Sequence, residues 1–308
     1  MTVGAQPSYD SFDEPVARDG AVRVDVLAAA LTRVDIVVAA GRHYTHPPAG
    51  RFVLGREGVG TLDDGRRVYF NFKSCLGPFG SMAEQTLVDP QYLLDVPEGV
   101  PDALAAALGN AGLAAWLPLS WRARLQPGET VLVIGATGLS GLIAIAAARL
   151  QGAGHIIAAG RDAASLEKCR ALGADATVNL SANPDLTAAY ASAAGRPIDV
   201  VLDYLCGRPA EAAIETIAEG GRMVHIGSTV AAQMTLPGGT LRRTSADILG
   251  FAYYHAPMET QQEAYKALCE HAAAGRIAID IETLPLARVC EAWDRQLAGL
   301  RKRLVLIP

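Results

Sequence analysis

The rhythm of apolar and polar positions changes twice along the chain. Residues 22–31 (VRVDVLAAAL) alternate and then turn wholly apolar, which predicts a strand. Residues 50–65 are dense in glycine and hold the short apolar runs 52–54 and 59–62, the texture of a β-rich region with tight turns. From Pro101 the pattern becomes alanine-rich and helical, with proline placed for a first turn and Asp102 at the positive end. Past Glu129 a second rhythm begins. Apolar runs at 131–134, 155–159, 178–180, 200–202 and 223–226 predict strands, and the stretches 142–150, 164–172, 186–194 and 210–218 predict helices between them. Strands alternating with helices make βαβ units and a parallel sheet. The runs are apolar throughout, as expected when helices cover both faces. After about Phe251 the repeat stops, leaving an amphipathic helix at 259–274 and a closing strand at 304–307.

Composition narrows the reading. The 308 residues suffice for one large or two ordinary domains, and half of them are apolar. A net charge of −5 argues against nucleic acid as the main partner, because phosphate backbones need a concentrated basic face. The acidic first 25 residues lack the apolar stretch of a signal peptide. Residues 131–150 are nearly long enough to span a membrane, but glycines break them in two, and no membrane partner is expected. Five widely spaced cysteines, with no CxxC, argue against a disulfide framework and for a reducing cytoplasm.

The strongest chemical signal is Gly135-Ala136-Thr137-Gly138-Leu139-Ser140-Gly141, set between an apolar strand and an apolar helix. A pyrophosphate needs backbone N–H donors at a helix N-terminus with no side chain in the way. The spacing is GxxGxxG rather than the usual GxGxxG, and the strand–turn–helix context raises its weight. The next strand ends Ala158-Ala159-Gly160-Arg161-Asp162. NAD sites usually place Asp or Glu there for the ribose 2′-hydroxyl; Gly160 followed by Arg161 suits a 2′-phosphate instead, so NADP(H) is the expected cofactor. Asp162 would serve NAD if the loop were shifted. Asp203, at the end of another strand, is either a cofactor contact or a helix cap. Gly227 and Ser228 follow a further strand and are expected near the cofactor. Arg242 and Arg243 are read as surface charges.

These features, in this order, resemble the medium-chain dehydrogenase/reductase superfamily, in its zinc-independent quinone oxidoreductase and enoyl reductase branch. The resemblance rests on VRVDVLAAALTRVDI, VLGREGVGTL, LQPGETVLVIGATGLSG, ALGADATVNL, DVVLDYLCG and GGRMVHIGS. It implies an α/β fold: a GroES-like β-rich substrate domain from residues 1–112 and 252–308, and a doubly wound Rossmann domain over 113–251. It also implies a small-molecule substrate and a homodimer or homotetramer. Zinc-dependent members carry Cys and His where this chain has Thr32 and Arg56, and Cys75 stands alone where they have a four-cysteine lobe. Neither Thr32 nor Arg56 suits zinc, and His43 with His46 do not make a site, so no metal is expected. Thr32 stands where relatives often carry Asn to orient substrate. Tyr44 resembles the tyrosine of enoyl reductases, one residue further from Gly41 than usual, and His43 is a rival donor. Asp35 is expected to cap a turn or orient the pocket. Reducing a conjugated carbonyl needs donors at the oxygen and a proton source, which Tyr44, His43 and Thr32 could supply. The function expected is NADPH-dependent reduction of a quinone or of the C=C bond of an enone or enoyl substrate. The alternative is a nucleotide-binding sensor or structural protein on the same fold. A short-chain reductase is disfavoured, because the lone Tyr-x-x-x-Lys, Tyr69 to Lys73, precedes the glycine loop.

Overall fold

A computed structural model of the chain describes residues 1–42, 49–300 and 302–308. They divide into two compact units. One takes Met1–Asn110 with Met258–Pro308, the other Ala111–Pro257.

The first unit opens with β1 (Val22–Ala30), whose apolar end is fully buried, followed by α1 (Arg33–Ala39). Helix α1 begins in a reciprocal capping box. The Thr32 hydroxyl accepts from the Asp35 amide, and the Asp35 carboxylate accepts from the Thr32 amide. Next come β2 (Glu57–Thr61), β3 (Arg67–Asn71), β4 (Gln85–Val88), the short β5 (Leu94–Asp95) and α2 (Asp102–Leu117). The run 52–54 stays outside any strand.

The second unit holds β6 (Thr130–Ile134), α3 (Leu139–Leu150), β7 (His155–Gly160), α4 (Ala163–Ala171), β8 (Ala176–Asn179), α5 (Leu186–Ala194), β9 (Ile198–Asp203), α6 (Arg208–Ile214), β10 (Ile217–His225), α7 (Gly238–Thr244) and β11 (Asp247–Gly250). Its strand order is β11-β10-β9-β6-β7-β8, and every pairing is parallel. The chain leaves β6 toward one edge through β7 and β8, then toward the other through β9 to β11. The switch point therefore lies between β6 and β9, where ligands bind beyond the carboxyl ends of such strands. Two readings needed correction here. Helix α6 stops at Ile214 rather than 218, because β10 already starts at Ile217 and bends at Gly220, whose φ is +67°. Strand β11 was not foreseen, since an edge strand with partly exposed residues shows no apolar run.

The chain returns to the first unit with α8 (Met258–Ala273), β12 (Ile281–Pro285), α9 (Val289–Leu297) and β13 (Arg303–Ile307). Its sheet runs β12-β13-β1-β2-β3-β5, with β4 also on β1. Only β12 and β13 are parallel. Phe52, Phe70, Trp293 and Leu304 belong to its core.

Candidate functional site

Strand β6 is fully buried and ends at Ile134, and the glycine turn follows. The amides of Gly135 and Ala136 both donate to Ala159 O, which ties the turn to the end of β7. Gly135 adopts φ +91°, a conformation that suits glycine. A Cβ at Gly141 would lie 2.4 Å from Gly135 O and 2.6 Å from Ala136 Cα, both backbone atoms that cannot swing aside. Gly138 caps α3 and brings no side-chain oxygen to it. The amides of Leu139, Ser140 and Gly141 open the helix, so no earlier turn takes them up. With Thr137 beside them they form a cradle for an anion.

Gly160 closes β7 against this turn. A Cβ there would meet Thr137 Cγ2 at 2.4 Å, so a side chain at that position would require Thr137 to turn aside. Arg161 follows and is exposed. Asp162 is committed elsewhere: its Oδ2 accepts from the Ser165 amide at 2.8 Å and caps α4.

At the ends of β9 and β10 the structure corrects one assignment. Asp203 is fully buried and cannot be a cofactor contact. Its Oδ1 accepts from the amides of Leu205 and Cys206, each at 2.9 Å, and its Oδ2 from His225 Nδ1 at 2.8 Å. It shapes the turn after β9 and acts outward only through His225. That imidazole is part-exposed at the end of β10, with Nε2 3.2 Å from Ser228 Oγ. The hydrogen bond that His225 donates to Asp203 raises the His225 pKa above its ordinary value, and burial opposes it. Gly227 N donates to Asp203 O, so Gly227 and Ser228 do stand at the strand ends. His225 was missed because it sat in the apolar run 223–226; a titratable residue closing such a run was the available signal.

The first unit holds a second polar cluster. Thr32, assigned above to substrate, has its hydroxyl hydrogen on Asp35 Oδ2 at 2.6 Å and its oxygen on the Asp35 amide. It is buried and serves the cap, so the direct substrate contact is corrected to a hold on Asp35. Asp35 itself is 1% exposed and lines a cavity of about 210 Å3 with Arg56, Phe72 and Cys75. Burial, above all, lifts its pKa to about 6. The two Thr32 hydrogen bonds and the Arg56 charge pull it down, and nearby Glu57 adds to the rise. The Cys75 thiol is pushed up to about 12 by burial, too high for a ready nucleophile. Arg56 lies over the Phe72 ring, 4.2 Å from its centroid.

Glu57, also buried, pairs with Arg303 and accepts from Tyr69 Oη and Asn110 N, each at 2.7 Å. Tyr69 is therefore a buried structural donor, and its spacing from Lys73 has no catalytic meaning. Tyr44, His43 and His46 lie outside the described residues. Among the described residues no three His, Cys, Asp or Glu side chains group as a metal site.

Phosphate is what an uncovered helix end at a switch point accepts. A doubly wound parallel sheet with such a turn defines a dinucleotide-binding type of fold. Comparison with known proteins narrows the class. Residues 141–272 match the family model described as zinc-binding dehydrogenase. Quinone oxidoreductase-like protein 2 of Rattus norvegicus is 31% identical over 241 residues, covering 74% of this chain and 67% of that protein. The quinone oxidoreductase of Thermus thermophilus, solved also with NADPH, superposes with a TM-score of 0.73 at 29% identity, covering 100% of this chain and 98% of that one. A mycocerosic acid synthase-like polyketide synthase of Mycobacterium tuberculosis is 30% identical over 71% of this chain, which spans about a tenth (10%) of that protein's length. The chain belongs to the zinc-independent, quinone oxidoreductase-like branch of the medium-chain dehydrogenase/reductase superfamily.

Proposed function

We propose that the protein uses NADP(H) to reduce a quinone or the C=C bond of an α,β-unsaturated carbonyl. The observation that carries the cofactor choice is the end of β7. Gly160 carries no carboxylate and packs against Thr137, Asp162 caps α4, and Arg161 is exposed beside them. A guanidinium there meets a 2′-phosphate with paired, permanently charged donors. The first amides of α3 would hold the pyrophosphate, and His225 with Ser228 would face the ligand from the ends of the strands beyond the switch point. The bound cofactor supplies the hydride; the chain supplies position, exclusion of side chains from the loop, and a proton. The names of the relatives support a quinone or enone as acceptor.

The test is oxidation of NADPH and of NADH against a benzoquinone, a naphthoquinone, an alkenal and a crotonyl thioester, in wild type and Arg161→Ala. The expected outcome is turnover with NADPH, and an apparent KM for NADPH that rises far more than that for NADH in the variant. An equal rise for both would remove the 2′-phosphate assignment. NADPH binding with no turnover on any acceptor would favour a sensor. Tyr44 and His43 remain proposed donors to the substrate; unchanged turnover in Tyr44→Phe would remove the tyrosine. A cytoplasmic setting, supported by five free cysteines, and a homodimer or homotetramer complete the reading.

A further inference from the structure

We propose that Ser228, His225 and Asp203 form a nucleophilic triad, and that the protein hydrolyses short-chain acyl esters of acidic alcohols such as phenols at the Ser228 hydroxyl. This hydrolysis goes beyond the reduction proposed above and does not depend on it.

The three side chains form one relay. Strands β9 and β10 set Asp203 and His225 side by side in parallel register. Asp203 is fully buried, and the amides of Leu205 and Cys206 pin its Oδ1, each at 2.9 Å. Those two bonds suffice to shape the turn after β9. They leave Oδ2 to accept from His225 Nδ1 at 2.8 Å. That bond keeps the proton on Nδ1 and leaves the Nε2 lone pair for another partner. The partner is the Ser228 hydroxyl, with Oγ 3.2 Å from Nε2. A nucleophile, a base and a carboxylate that orients the base thus stand in the order that serine hydrolases use. The loop carrying Ser228 is itself fastened. Thr229 Oγ1 donates to Tyr204 O and Val230 N to Leu205 O, each at 2.9 Å. Access rises along the relay, from a buried carboxylate through a part-exposed imidazole to an exposed hydroxyl.

In the first half-reaction a bond forms from Ser228 Oγ to the acyl carbon as His225 Nε2 takes the hydroxyl proton. The carbonyl π pair moves onto its oxygen. Among the described residues no acceptor takes the amides of Ser228 and Thr229, which leaves both to that oxyanion. When the pair returns, the bond to the leaving oxygen breaks, and Nε2 gives that oxygen the proton. Water then repeats the sequence at the acyl-serine, which releases a carboxylic acid and restores the Ser228 hydroxyl. Nothing is oxidised or reduced. Asp203 is a positioning residue, which holds the imidazole tautomer and offsets the charge of the imidazolium. The setting selects the substrate. Ser228, Thr229 and Val230 are all exposed, so little binding energy is available at the acyl group. The leaving group must then lower the barrier itself, which a phenolate does and a simple alkoxide does not.

Hydrolysis of p-nitrophenyl acetate by the full chain without added nucleotide tests this, together with mass spectrometry after treatment with diisopropyl fluorophosphate. Wild type should release p-nitrophenolate faster than buffer alone, and the phosphoryl adduct should sit on Ser228. Ser228→Ala alters an exposed loop position, so it should keep its melting temperature while losing both the adduct and the added hydrolysis. His225→Gln should lose about 10²–10⁴-fold in kcat. The base must be neutral to accept the proton, so the wild-type rate should rise with pH and level off above the raised pKa of His225. Asp203 is the charged group behind that rise, and Asp203→Asn should both lower kcat and bring the midpoint of the profile back toward pH 6.5. Hydrolysis no faster than buffer, an adduct on another residue, or a rate unchanged in Ser228→Ala overturns the triad. A profile that stays in place in Asp203→Asn overturns the part given to Asp203. None of these results alters the proposed reduction, which oxidation of NADPH tests separately.

Discussion

The two units build their polar sites by opposite means. In the parallel-sheet unit the glycine turn works by omission: Gly138, Gly141 and Gly160 keep side chains away from a helix end and leave its backbone amides uncovered. In the β-rich unit the site works by burial. Asp35, Glu57 and Arg303 are withdrawn from water; Asp35 is held by the nearby Thr32, and Glu57 and Arg303 hold each other across the length of the chain. The difference teaches where each is fragile. The turn fails when an atom is added, and the buried cluster fails when a charge is removed.

The largest expected effect is therefore in the buried cluster. Arg303→Leu leaves Glu57 charged, 2% exposed and without its cation. Breaking a buried pair from one side costs about 3–5 kcal/mol. Denaturant unfolding should show a loss of that size. The double variant Glu57→Gln with Arg303→Leu should recover much of it, because an uncompensated charge is what the single variant buries. A single variant as stable as wild type would show that the pair contributes no net stability.

Gly141→Ala tests the other mode of failure. Its methyl would need 2.4 Å from Gly135 O, so the turn must open or α3 must shift. Overpacking of this kind costs about 1–3 kcal/mol. The dinucleotide should suffer more than the fold, since the displaced atoms belong to the cradle. Calorimetric titration with NADPH should show binding weakened beyond what the fall in melting temperature implies. Undiminished affinity would mean that the cradle is not the pyrophosphate site.

This contrast also explains what the sequence could disclose. The glycine turn is contiguous and follows its strand directly, so the sheet and the turn were legible, and the proposed nucleotide preference rests on Gly160 and Arg161 at a known interval beyond them. Helix 186–194 was read to its ends, because Asp185 caps it and Gly195 closes it at φ +66°. The buried cluster was not legible. Glu57 and Arg303 lie 246 positions apart, and neither residue announces its partner. Thr32 and Asp35 were noticed as a motif, but whether a hydroxyl faces a substrate or a neighbouring carboxylate depends on side-chain direction, which spacing does not encode. Asp203 failed likewise: a carboxylate at a strand end can face outward or turn back onto the amides that follow it.

The smallest expected effect lies where both modes meet, at His225 and Asp203. The imidazole is more basic in the folded chain than its ordinary value of 6.5, chiefly through its hydrogen bond to Asp203. A group whose folded pKa is raised binds its proton more tightly in the native state. The stability it contributes is then fully present below pH 6.5, and it is lost as pH rises through the raised value. Wild type should therefore lose more stability than His225→Gln between pH 6 and pH 8, by a margin smaller than either effect above. Asp203→Asn, by removing the charge, should return the His225 titration toward 6.5 in an NMR experiment. Equal pH dependence in wild type and His225→Gln would mean that the hydrogen bond holds the imidazole without making it more basic. His225 would then serve only to fix the turn after β9, and the two strand ends would join the glycine loop as a site made by shape rather than by charge.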